Sequence, residues 1–194
     1  MIAGVDWVQI RERDLQAREL LELSRQAVAE SIVGSVMDEA RQEVLVVVND
    51  RLDVALAASA AGVHLGRESM AAGDVVRWCR SGKAPAEFLI GVSCHSLEEA
   101  QEAEETGASY VFFGPIFDTP SKRAFGPPQG LARLGEICRA LQIPVIAIGG
   151  MNVENAAQCF GAGARGIAAI RLFQETTDPA ALSDMVERLH RPGK

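Results

Sequence analysis

Seven short apolar runs punctuate the chain: WVQIRE (7–12), VLVVVND (44–50), GVHLG (62–66), FLIGVSC (88–94), SYVFFG (109–114), PVIAIGG (144–150) and GIAAIRLF (166–173). Several are apolar almost throughout and do not alternate with polar residues. Strands buried on both faces read this way, as in parallel sheets. Between the runs lie amphipathic segments of helical length. In DLQARELLELSRQAVAE, Leu15, Leu20, Leu21, Leu23 and Val28 gather on one stripe. SLEEAQEAEETG opens on Ser96, which with Glu99 forms a capping-box pattern, and Gly107 stands where a helix stops. NVENAAQCFGAG and DPAALSDMVERLH have the same character. No linker or break in composition interrupts the alternation.

Seven βα repeats predict one parallel α/β domain over residues 1–194, a (β/α)8 TIM barrel, with a doubly wound open sheet as the alternative. Two features favour the barrel. No strand is followed by GxGxxG, and polar residues collect at the C-terminal ends of strands, where barrel enzymes keep their chemistry. Seven strands are one short of eight. Either the barrel is open, or the chain starts downstream of the first strand, since nothing before Trp7 has room for a strand and a helix.

Composition narrows the function. The 194 residues, 48% apolar and 23% charged, suit one soluble enzyme domain. A net charge of −7 argues against a nucleic-acid or membrane surface, so an anionic ligand would need local positive charge. Cys79, Cys94, Cys138 and Cys159 form no CxxC pair, which fits reduced thiols in the cytoplasm. No apolar run approaches the roughly 18 residues of a membrane span, and the N-terminus lacks a signal-peptide pattern.

The chemistry-bearing residues sit around the strand ends. Gln9, Arg11 and Arg13 alternate in VQIRER and would share one face of an inward-pointing strand. Two guanidiniums there suit a phosphate or pyrophosphate; the plainer alternative is an ion pair of Arg11 with an acid. Asn49 and Asp50 end the second run. Asp50 could hold Mg2+ or cap the helix starting near Leu52. His64 reads as structural, His95 as a loop or capping residue, and Cys94 as a buried thiol with nothing to activate it. The loop GPIFDTPSKRAFGPPQG (114–130) combines Gly and Pro with the hydroxyls of Thr119 and Ser121 and the charge of Lys122 and Arg123. Either it neutralises an anion or it is a solvated loop. Gly149 and Gly150 separate a strand from a helix, a setting for backbone amides that bind phosphate, with Arg171 as an added ligand.

VQIRER, NDRLDVALAASAAGVHLGRES, IGVSCHSLEEAQEAEETGASYVFFGPIFDTPSK and IPVIAIGGMNVENAAQCFGAGARGIAAI together resemble the thiamine phosphate synthase and TenI-type thiazole tautomerase superfamily, from about Trp7 to Phe173. The resemblance implies a (β/α)8 barrel that couples hydroxymethylpyrimidine diphosphate to thiazole phosphate and releases pyrophosphate with Mg2+. It gives Gln9, Arg11, Asn49 and Lys122 to the pyrophosphate, Asp50 to the metal and Ser93 to the leaving oxygens. Thr119, Ser121 and Gly150 fall to the thiazole phosphate. Three positions depart from the synthase pattern: Arg13 for Lys, Ser69 for a second metal-binding Asp, and Arg171 for Ser. The missing carboxylate at 69 is also met in the tautomerase branch, which needs no metal but often carries His where Pro115 stands. A non-catalytic phosphate-ligand binder is the third reading. The expected partners are the two phosphorylated substrates and, as barrels of this size often pair, a second copy of the chain.

Overall fold

Parallel pairing of almost wholly apolar strands organises the chain, and in a computed structural model it is described over residues 4–37, 43–119 and 127–190. The chain forms two compact units, Met1–Gly91 and Val92–Lys194. Seven strands follow chain order. All seven coincide with the apolar runs.

The first unit holds β1 (Trp7–Ile10), α1 (Ala17–Met37), β2 (Leu45–Asn49), α2 (Leu52–Ala57), β3 (Gly62–Leu65) and α3 (Ala72–Trp78). β1 pairs with β2, and β2 with β3, both in parallel. The core packs Val46, Val48, Val63 and Leu65 of the strands against Val54, Ala55, Val75 and Val76 of the helices. Every residue of β3 is buried, so it shows no alternation. β4 (Leu89–Cys94) begins here, with the Leu89 amide donating to the Ala61 carbonyl at 2.9 Å, and ends in the second unit.

The second unit continues with α4 (Leu97–Glu105), β5 (Tyr110–Phe113), α5 (Gly130–Ala140), β6 (Val145–Ile148), α6 (Val153–Gly161), β7 (Gly166–Ala168), α7 (Arg171–Gln174) and α8 (Pro179–His190). β5 pairs with β6 and β6 with β7, again in parallel. Val111, Phe113, Val145 and Ala147 pack against Ala100, Ala103, Leu134, Ile137 and Cys159. Caps define the helix starts. Ser96 accepts the Glu99 amide at 3.2 Å, as its spacing predicts, but the Glu99 carboxylate takes the His95 amide at 2.6 Å rather than that of Ser96. Asn152 and Asn155 form the reciprocal box in full, at 2.8 and 2.9 Å.

At two strand ends the shortening moves a candidate site residue off the strand. β1 stops at Ile10, opposite Val48, so Arg11 and Arg13 lie beyond it as exposed loop residues rather than on an inward strand face. Their charge favours water over a two-sided interior. β7 stops at Ala168, and Arg171 opens α7 instead of ending the last strand; the Phe173 and Gln174 amides donate to the Ile170 carbonyl. Among the described residues, no helix is long and apolar enough to cross a membrane.

Gly62 marks the tightest strand contact of the first unit. A Cβ there would lie 2.3 Å from the Leu89 carbonyl oxygen. Gly62→Ala is expected to lower unfolding free energy by about 3 kcal/mol, because backbone has to move. Urea titration checks this; an unchanged midpoint would mean that β3 and β4 part freely.

Candidate functional site

In the first unit a chain of polar contacts runs across the strand ends. Gln9 Nε2 donates to Asn49 Oδ1 at 2.9 Å, and Asn49 Nδ2 donates to Asp50 Oδ2 at 2.6 Å. Ser69 Oγ donates to the other carboxylate oxygen, Oδ1, and itself accepts the Gly66 amide at 2.7 Å. Asp50 has a left-handed backbone (φ 62°), uncommon for a non-glycine residue. The helix that follows is capped by backbone Arg51 without a side-chain bond. Asp50 is therefore the centre of a polar cluster and not the α2 cap.

His64 lies beneath this cluster on β3, 2% exposed. Burial lowers its pKa to about 4; the Asp50 carboxylate opposes that shift and the Arg11 charge adds to it. Arg11 thus acts on the same ground as Asp50 although it has left the strand. Arg13 takes part in neither hydrogen-bonded cluster described here. A structural His64 is what its sequence setting predicts.

A second cluster forms in the second unit. The Gly149–Gly150 turn follows β6 with φ values of 98° and 68°. A Cβ on Gly149 would stand 2.6 Å from Pro115 Cα, and one on Gly150 would stand 2.7 Å from the Asp118 carbonyl oxygen. Only bare backbone lets this turn lie against segment 115–118. The Ile116 and Phe117 amides donate to the Ile148 and Gly149 carbonyls at 2.9 and 3.0 Å, and Asn155 Nδ2 holds the Gly150 carbonyl at 2.9 Å. Thr119 lies just past this segment, and its hydroxyl accepts from Arg171 Nη2 at 3.3 Å. Arg171 is thus joined to Thr119, and α7 rather than a strand carries it. Ser93 is half-buried near the end of β4. Ser121, Lys122 and Arg123 lie outside the described residues.

Cys94 is not an activated nucleophile. Burial, reinforced by Glu99 and Glu102, pushes its thiol up to about 12, so it stays protonated near neutrality. Sequence reasoning passed over two contacts. Ser69, noted only as a missing carboxylate, contributes a hydroxyl to Asp50; the GRES turn, with the Ser69 amide on the Gly66 carbonyl, is the local signal for it. The His95 ring reaches the Gly114 carbonyl, 19 positions away, with no local signal beyond its place after a strand.

The donor set bears on magnesium. Among the described residues no group of three or more His, Cys, Asp or Glu could hold a metal ion. One carboxylate beside a hydroxyl fits an ion that draws most of its ligands from phosphate oxygens and water, the usual habit of Mg2+.

Comparison with known proteins places this chain in a family. The TMP-TENI family model, described as thiamine monophosphate synthase, matches residues 1–173. The chain is 42% identical over 178 residues to the thiamine-phosphate synthase of Roseiflexus castenholzii, covering 92% of this chain and 72% of that one. It is 40% identical over 183 residues to the thiamine-phosphate synthase of Moorella thermoacetica, covering 93% of this chain and 80% of that one. Among solved structures, thiamine phosphate pyrophosphorylase from Pyrococcus furiosus superposes with a TM-score of 0.81 at 31% identity, over 99% of this chain and 87% of that chain.

His64 carries a pH signature. The folded chain keeps it neutral down to about pH 4, whereas an unfolded chain protonates it near 6.5, so stability falls as pH falls through that window. The loss should reach about 3 kcal/mol at its acid end. Urea titrations from pH 7 to pH 4 on wild type and His64→Gln test this: the gap between the two should shrink or reverse on acidification. A constant gap would mean that the ring is not held neutral.

Proposed function

We propose that this chain, which belongs to the thiamine monophosphate synthase family, is a thiamine-phosphate synthase that joins hydroxymethylpyrimidine diphosphate to thiazole phosphate, forming a C–N bond and releasing pyrophosphate. The observation that carries the reading is the family match over residues 1–173, which takes in both polar clusters. In this reading Gln9, Arg11, Asn49 and Lys122 bind the diphosphate, with Arg13 nearby as added positive charge. Arg11 and Lys122 neutralise the charge that builds on the leaving pyrophosphate, and Ser93 donates to its oxygens. Asp50 would hold Mg2+, which when bound supplies charge neutralisation to the phosphoryl oxygens. Gln9, Asn49 and Ser69 orient the Asp50 carboxylate for that role.

The thiazole phosphate falls to Thr119, Ser121, the Gly149–Gly150 amides and Arg171. Arg171 suits a phosphate because its guanidinium offers a planar fork of donors. No residue need supply a nucleophile, since the pyrimidine diphosphate ionises by breaking its C–O bond to pyrophosphate and the thiazole nitrogen captures the cation. This agrees with the protonated state of Cys94. The same reading takes residues 1–194 as one (β/α)8-type domain, supported by the structural likeness over nearly the whole chain. A cytoplasmic homodimer completes it.

The test is to supply both phosphorylated precursors with and without magnesium. Thiamine phosphate should form only with the metal; product no higher than in a protein-free control rejects the synthase reading. Arg171→Ala should raise KM for the thiazole phosphate about tenfold or more, as expected for one charge-assisted contact. An unchanged KM removes Arg171 from the site. Lys122→Ala should impair turnover far more than thermal stability, and an equally large loss of stability would count against its role.

A further inference from the structure

We infer that His95 is a positioning residue for the thiazole-phosphate half of the reaction, acting through the Gly114 carbonyl; the inference rests on the synthase reading above. His95 Nδ1 lies 2.6 Å from the Gly114 carbonyl oxygen. A carbonyl can only accept, so Nδ1 carries the proton and the ring is the donor. The residue is also fixed from behind, because its backbone amide donates to Glu99 Oε2 at 2.6 Å, just ahead of α4.

Gly114 is buried and is the first residue after β5, at the root of the segment that leads to Thr119. Three carbonyls in a row need donors there. Pro115 takes the Gln129 amide at 2.8 Å and Ile116 takes the Gly130 amide at 3.1 Å. Gly114 takes the His95 ring. From the same segment, the Ile116 and Phe117 amides reach the β6 end and the glycine turn, and Thr119 meets Arg171. Without the ring, a buried carbonyl at the root of this segment loses the donor described here, and the segment relaxes toward another partner. The groups displaced by that relaxation are Thr119 and the contacts of the Gly149–Gly150 turn. The polar cluster around Asp50 does not depend on them.

Two variants separate shape from donation. His95→Phe keeps a planar ring without the donor. His95→Asn offers an amide N–H near the place of Nδ1. Steady-state kinetics with each substrate varied, calorimetric binding of thiazole phosphate alone, and melting temperature are read for both. His95→Phe should raise KM and the dissociation constant for thiazole phosphate about tenfold, several-fold more than it raises KM for the diphosphate. His95→Asn should recover most of that loss. Equal rises in both KM values, no rise at all, or an Asn variant as impaired as the Phe variant would each overturn the inference. Should His95→Phe fail to fold, His95→Ala takes its place; failure of both makes His95 a folding residue and overturns it too. If wild type makes no thiamine phosphate, the synthase reading fails by itself, and the calorimetric comparison still decides the role of His95: no binding by wild type, or equal binding by wild type and variant, ends it.

Discussion

A strand buried on both faces has no place for an unpaired charge, and this constraint shapes everything else in the chain. β2 and β3 carry Val47, Val48 and Val63 at or below 1% exposure, and β5 is buried along its whole length. Polar groups are pushed to where the strands stop, because burial without a partner costs more than a single contact returns. Asn49 and Asp50, Ser93 and the Gly149–Gly150 turn stand at or beside such stops. Among the ionisable side chains, His64 stays buried within β3 by giving up its charge.

The two polar clusters use different means. Around Asp50 the means are side chains: an amide relay from Gln9 through Asn49 on one carboxylate oxygen and the Ser69 hydroxyl on the other. Around Gly150 the means are mostly backbone: bare glycines against segment 115–118, with Asn155 holding a carbonyl and Arg171 supplying charge. Under the proposed function the first arrangement would take a diphosphate with a metal ion, and the second a single phosphate.

Much of this was legible in the sequence, for physical reasons. Unbroken apolar runs mark two-sided burial, so all seven strands could be placed. Paired small residues after PVIAI announced the turn at 149–150, and Ser96 and Asn152 announced helix starts. Strand ends were less legible. Alternation in VQIRER continues past Ile10, but pairing with β2 does not, and GIAAIRLF stays apolar through a change from strand to helix at Arg171. Contacts between distant loops left little local trace: the His95 ring to Gly114 spans 19 positions and Arg171 to Thr119 spans 52. Proximity there is a product of the fold, not of spacing.

Position 50 joins two demands that most residues cannot meet together. Its left-handed backbone is comfortable for glycine, tolerable for asparagine and aspartate, and strained for branched or bulky side chains. Glycine, asparagine and aspartate there are graded in what each retains: turn shape alone, shape with a neutral amide, or shape with a negative charge. Drift at this position would change the electrical character of the cluster while sparing the path of the main chain, so loss of charge and loss of fold are uncoupled here.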